Sequence, residues 1–303
     1  MTRQRISEIV TSGRILVSDG AWGTFLQKKG LKPGDCPELW CINRPGDVLD
    51  IAQSYVKAGA DMIETNSFGG TSIKLSHYGL GKRAGEINLA SAKISREAAG
   101  QDKWVIASIG PTGKMLVMGD ITEEELYQSF KEQAIALEKG GADAVCIETM
   151  SDLDEARLAI KAAKENTNLE IIATFTFDRI ATGEYRTMMG ISPQDAALMA
   201  LDAGADIIGA NCGNGFERMI DIVKQMKAVA KDALILVHAN AGLPTNINGV
   251  DVFPETPEQM AALLPAIVDA GANIIGGCCG TTPEHIKAIK TVVDQINLKR
   301  EKN

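Results

Sequence analysis

One short motif recurs four times along this chain, as Lys57-Ala58-Gly59-Ala60-Asp61, Lys139-Gly140-Gly141-Ala142-Asp143, Asp202-Ala203-Gly204-Ala205-Asp206 and Asp269-Ala270-Gly271-Ala272-Asn273. Each copy precedes an apolar run: Met62 to Thr65, Ala144 to Ile147, Ile207 to Ala210 and Ile274 to Gly277. Ten or more residues of helical periodicity lead into each copy. A glycine that closes a helix just before a buried strand is the αβ junction of a parallel sheet. Between the copies lie four more candidate strands, Ile15 to Ser18, Trp104 to Ser108, Ile171 to Phe175 and Leu234 to His238, which brings the total to eight.

The intervening stretches read as helices at Pro45 to Ala58, Glu86 to Ala99, Thr122 to Lys139, Leu153 to Glu165, Ser192 to Ala203, Phe216 to Ala230, Pro257 to Ala270 and Pro283 to Ile296. Ser192-Pro193, Thr256-Pro257 and Thr282-Pro283 put a capping hydroxyl before proline at the first helical position. Strand and helix alternating eight times predict an α/β fold, a single (β/α)8 TIM barrel over residues 1–303, with an open doubly wound sheet sharing the local signals. The small residues of the even-numbered strands suit the alternating layers of a barrel interior. Gly242 to Glu255, with two prolines and two asparagines, reads as a long loop after the seventh strand.

Composition narrows the class. At 303 residues the chain fits one barrel, and 45% apolar residues with 5% aromatics give an aliphatic core. A formal charge of -8 repels a phosphate backbone, so nucleic acid is not the expected partner. No apolar run is long enough to span a bilayer, and Met1 to Val10 lack a signal-peptide core, so no membrane association is expected and the cytoplasm is the expected location. Thiols stay reduced there, so the six cysteines read as metal ligands or packing rather than disulfides.

In such barrels the chemistry sits where strands end and βα loops begin. The ends carry Asp19-Gly20-Ala21, Glu64-Thr65-Asn66, Gly110-Pro111-Thr112-Gly113, Glu148-Thr149, Asn211-Cys212, Asn240-Ala241-Gly242 and Cys278-Cys279. Strands six and eight are two steps apart, so Cys212 can meet the vicinal pair across the mouth. Three thiolates around one point suit zinc with an open fourth position, the arrangement of a catalytic site; the competing reading is small buried residues at a Gly-rich strand end. Cys146 reads as core, and Cys36 and Cys41 lack zinc-finger spacing. His77, His238 and His285 show no metal-type pairing, and only His238 lies near a strand end.

With these residues in view, the chain resembles the homocysteine S-methyltransferase family, which includes the homocysteine-binding module of cobalamin-dependent methionine synthase and betaine-homocysteine methyltransferase. The resemblance runs from Asp19-Gly20-Ala21-Trp22-Gly23-Thr24 through Glu64-Thr65-Asn66-Ser67-Phe68-Gly69, Ile109-Gly110-Pro111-Thr112-Gly113, Glu148-Thr149, Asn211-Cys212 and Asn240-Ala241-Gly242 to Gly276-Gly277-Cys278-Cys279-Gly280-Thr281-Thr282-Pro283. It implies a barrel enzyme that transfers a methyl group to the thiol of homocysteine or a similar small thiol, with Zn2+ on Cys212, Cys278 and Cys279. It also implies that Glu148 holds the substrate amino group and that backbone around Asp19, Gly20 and Ala21 positions it. Asn66 joins that substrate-binding set, and Asn240 is expected near the metal when substrate is absent. A thiol with a pKa near about 8.5 is mostly protonated at neutral pH, and coordination to zinc removes that proton.

The loop Pro37-Glu38-Leu39-Trp40-Cys41-Ile42-Asn43-Arg44-Pro45 is similar to that of cobalamin-dependent methionine synthases. The donor expected on this ground is methylcobalamin or another methylcorrinoid carried by a separate protein. The alternative donors are betaine or S-methylmethionine, for which Trp40 could contribute to a cation box.

Overall fold

The computed structural model describes residues 3–247 and 250–302. Eight parallel strands form one sheet: β1 (Leu16–Val17), β2 (Met62–Glu64), β3 (Trp104–Ile109), β4 (Ala144–Met150), β5 (Glu170–Phe175), β6 (Ile207–Asn211), β7 (Ile235–Ala239) and β8 (Ile274–Gly277). The order β1-β8-β7-β6-β5-β4-β3-β2 curls the sheet into a barrel whose seam falls between β1 and β2. Side-chain chemistry closes that seam: Val17 N–H donates to Asp61 Oδ2 at 2.9 Å, and Glu64 N–H donates to Asp19 Oδ2 at 2.8 Å.

Between the strands run α1 (Pro45–Ala58), α2 (Ala84–Ala99), α3 (Glu123–Gly140), α4 (Leu153–Asn166), α5 (Pro193–Ala203), α6 (Phe216–Val229), α7 (Pro257–Ala262) and α8 (Leu264–Asp269), with α9 (Pro283–Arg300) closing the chain. The single helix expected over Pro257 to Ala270 is therefore two. Pro265 has no N–H to donate to the Ala261 carbonyl, and the helix breaks at Leu263, two residues before it. Thr122 and Thr256 form reciprocal capping boxes, and Ser192 caps α5.

The fourfold motif has a specific structural meaning. In every copy the glycine adopts a left-handed backbone, with φ between 100° and 117°. The final Asp or Asn of each copy then fastens its even strand to the preceding odd one. Asp61, Asp143, Asp206 and Asn273 accept from the N–H groups of Val17, Val105, Ile171 and Ile235 at 2.8–2.9 Å. Their own N–H groups donate to the carbonyls of the same four residues.

Alternation with a period of two divides the strands between two cores. Val17, Ile63, Val105, Ile147, Ile171, Ile208, Val237 and Ile275 face outward onto the helices. Leu16, Met62, Ile106, Ala144, Cys146, Ile172, Ile207, Leu236 and Ile274 fill the barrel, plugged from below by Ile6 and Val10 of a short helix, Ile6–Thr11. Small residues face this interior on three of the even strands, Ala144 and Cys146 on β4 and, by the same alternation, Gly209 on β6 and Gly276 on β8, packed among the large aliphatics. The stretch Gly242 to Glu255 also differs from a plain loop. It holds an antiparallel hairpin, Thr245–Ile247 with Val250–Val252, while residues 248 and 249 lie outside the described residues. Among the described residues, no helix is long and apolar enough to cross a membrane.

Candidate metal centre and substrate pocket

The C-terminal ends of the strands surround a cavity of about 290 Å³ lined by Gly20, Ala21, Trp22, Asn66, Phe68, Glu64, Glu148, His238 and all three rim cysteines, among others. Cys212 follows β6 directly, and Cys278 and Cys279 follow β8. Cys212 holds φ at 59°, a left-handed conformation costing a non-glycine residue about 1–2 kcal/mol. Its N–H donates to His238 O at 2.9 Å, which anchors this turn to β7. The Gly276-Gly277 pair before the vicinal cysteines is required by close approach: a Cβ on Gly277 would stand 2.3 Å from Thr281 Oγ1, and one on Gly276 2.8 Å from His238. Thr281 accepts from Ala21 N–H and donates to Cys278 O, tying the first loop to the last.

The sulfurs converge. Cys212 and Cys279 Sγ are 3.8 Å apart, Cys278 and Cys279 Sγ 4.0 Å, and all three lie within 4.8 Å of one another. Tetrahedral zinc with bonds of about 2.3 Å places sulfur ligands about 3.8 Å apart, so this donor set fits the ion. Protonation tells the same story. Hydrogen bonds from Cys278 and Cys279 bring Cys212 down to about 3, and the Asn240 side chain adds to that stabilisation. The hydrogen bond and charge of Cys212 in turn push Cys278 well above the ordinary thiol range and Cys279 up to about 12. Protein alone supports one thiolate here, and a dication is what would let three coexist.

Glu148 projects from the end of β4 into the same cavity, 6% exposed. Burial raises its carboxyl to about 7, opposed by a hydrogen bond from Ser108 Oγ. Asn211, the last residue of β6, holds the opposite side. Its Nδ2 donates to Glu148 Oε2 at 3.4 Å and to Thr149 Oγ1 at 2.7 Å, while its Oδ1 accepts from Thr149 N–H and Thr174 Oγ. Thr149, like Cys212, sits at φ 59°. The sequence assigns no role to Ser108 or Asn211, although Asn211 stands in the strand-end pair Asn211-Cys212.

The remaining expected residues divide. Gly20 and Ala21 line the cavity, whereas Asp19 does not. The Asp19 carboxylate accepts from Trp22 Nε1, Glu64 N and Ser18 Oγ, and burial raises it to about 7 despite those bonds. Asn66 lines the cavity, but its Nδ2 donates to Pro37 O at 2.8 Å, holding the neighbouring loop. Asn240 is buried beside Cys212, toward whose sulfur its side chain hydrogen-bonds, with Oδ1 unpartnered. Trp40 is buried away from the cavity, with the Arg44 guanidinium 3.8 Å over its ring. Cys36 and Cys41 are buried against Glu38 and Asn66 O, and Cys146 lies in the barrel interior.

A family model described as homocysteine S-methyltransferase matches residues 16–293. This chain belongs to that family. The methionine synthases of Mycobacterium tuberculosis and Mycobacterium leprae are 32% and 31% identical to it over 96% and 94% of its length. The match takes up 25% of each relative, so the chain spans about a quarter of the length of these curated relatives. The metallated form of the homocysteine methyltransferase MmuM from Escherichia coli superposes with a TM-score of 0.76 at 23% identity, over 94% of this chain and 98% of that one. At that identity the likeness concerns the barrel fold.

Proposed function

We propose that the chain transfers a methyl group to the sulfur of homocysteine, with zinc held by Cys212, Cys278 and Cys279. The observation that carries this reading is the convergence of three sulfurs on one wall of a cavity that also presents Glu148. Bound zinc would supply the positive charge that ionises an incoming thiol at neutral pH. Cys212, Cys278 and Cys279 would hold that ion at the cavity wall, and so fix where an incoming sulfur is bound. Glu148, held by Ser108 and Asn211, offers a carboxylate to the substrate ammonium, which burial would otherwise penalise. Backbone at Gly20 and Ala21, beside the Cys278 turn, also lines the cavity and positions the amino-acid end of the substrate.

The donor in this reading is a methylcorrinoid on a separate protein. A cavity of about 290 Å³ is at the small end for a ligand site, which suits a four-carbon amino-acid thiol and leaves a whole corrin outside. Loops on the same face carry exposed Val117, Met118 and Met188, each more than 70% accessible, an apolar rim of the kind a protein partner covers. Betaine or a sulfonium such as S-methylmethionine is the weaker alternative, because Arg44 already covers the Trp40 ring that would receive its cation. The test is zinc stoichiometry together with product formation from a panel of thiols, with and without methylcobalamin. Zinc near one per chain and methionine formed only with homocysteine and methylcobalamin support the reading. Turnover that survives complete chelation sinks it.

A further inference from the structure

Glu64 closes β2 with its side chain in the same cavity as Glu148. Its backbone is pinned on both sides, since Glu64 N–H donates to Asp19 Oδ2 and Glu64 O accepts from Ser95 Oγ. The side chain is not similarly engaged. Glu64 is 7% exposed, and its Oε1 has no hydrogen-bond partner. Nδ1 of His238 stands 3.5 Å away, beyond good hydrogen-bond length. Among the described residues, no lysine or arginine lines the cavity. Burial first, then the charges of Glu148 and Asp19, push the Glu64 carboxyl well up. Three buried carboxyls thus line the cavity: Glu38 accepts from Gly69 N–H and Cys36 Sγ, Glu148 from Ser108 and Asn211, and Glu64 keeps an unpartnered oxygen.

An unpartnered buried carboxyl is kept where a ligand completes it. The ligand proposed above brings a suitable group: an α-ammonium has three N–H donors. Glu148 already accepts from Ser108 on one oxygen and from Asn211 on the other, so it leaves acceptor demand unmet. We propose, on the reading of this site as a homocysteine methyltransferase, that Glu64 is a second acceptor for the substrate α-ammonium, which is clamped between Glu64 and Glu148. The pair then selects amino thiols over thiols that lack the amine.

The experiment compares homocysteine with 4-mercaptobutanoate, which keeps the thiol and carboxylate and lacks the amine. Binding to zinc-loaded protein is followed by titration calorimetry and methyl transfer with methylcobalamin. Wild type should prefer homocysteine, and Glu64→Gln should raise Kd and KM for homocysteine about 10- to 100-fold while leaving 4-mercaptobutanoate within about twofold. Because both thiols are measured on one variant, the ratio is insensitive to partial misfolding. Glu64→Asp, which keeps the charge at shorter reach, should fall between. Equal weakening of both thiols in Glu64→Gln, or of neither, overturns the clamp and leaves Glu64 a packing partner of His238. A wild-type protein that binds neither thiol overturns the homocysteine reading, and the clamp with it.

Discussion

The two ends of the barrel treat their polar groups in opposite ways. At the lower end Asp61, Asp143, Asp206 and Asn273 each accept a backbone N–H, and Asp143 also pairs with Arg3 and Arg96. At the upper end Glu64 Oε1, His238 Nε2 and Asn240 Oδ1 are buried and unpartnered, and Thr149 and Cys212 hold left-handed backbones. Buried polar atoms without partners destabilise a fold; Ser91, Gln133 and Gln194 carry some on the surrounding helices, but those of Glu64 and His238 stand in the cavity wall, where stability has been exchanged for ligand contacts. A single upper-end substitution should therefore change chemistry, and a lower-end one stability.

The sharpest break is between two cysteines. Cys278→Ala should abolish metal binding by elemental analysis and lower methyl transfer more than about 100-fold, because even outer partners of metal ligands are worth about 10- to 100-fold. Cys146→Ala, inside the lower layer, should keep the metal and melt somewhat earlier. If both variants lose the metal, the division fails.

Glu148→Gln should raise KM for homocysteine about 10- to 100-fold, as removal of a charged hydrogen bond predicts. The same change should stabilise the metal-free protein. With its folded carboxyl raised to about 7, wild-type Glu148 keeps a proton that the unfolded chain releases near about 4.3, so its contribution to stability falls as pH rises between those values. The variant lacks that loss, and its advantage in urea unfolding should grow from pH 4.5 to 7, reaching on the order of 2–3 kcal/mol. A difference independent of pH would show that Glu148 is not held protonated.

Asp143→Ala tests the lower end. Losing the acceptor shared by Arg96, Arg3 and Val105 N–H should cost about 2–3 kcal/mol in urea unfolding with kcat per folded molecule unchanged. The smallest effect is expected at Trp40. Trp40→Phe should leave turnover within about twofold and stability within about 1 kcal/mol, the scale of its contact with Arg44. A large fall in turnover would instead return a cationic donor to that ring.

Most of the frame was readable because the glycine of each repeat fixes a left-handed turn between helix and strand, a local constraint that leaves a local trace. Pro265 was equally visible, yet a smooth apolar period across Pro257 to Ala270 hid the break it imposes. The hairpin after β7 rests on backbone pairing between residues of mixed polarity, which leaves no periodic signal. In the site, the metal-ligand candidates stood out by residue type and strand-end position. Asn211 and Ser108 did not, because their partner is Glu148, 63 and 40 residues away, and such pairings exist only once the sheet has closed. Glu64 was legible as a strand-end acid; that its oxygen lacks a partner was not.

The four fasteners at the base divide the barrel into like quarters, each an odd strand, its helix and the following even strand, latched by one carboxylate or carboxamide and one reciprocal backbone bond. The thiols, by contrast, come from the last two quarters, and the acids that face them from the first two. Architecture here obeys a fourfold rhythm that the reaction ignores: identical bricks are laid in a ring, and the work is done where one half of the ring confronts the other.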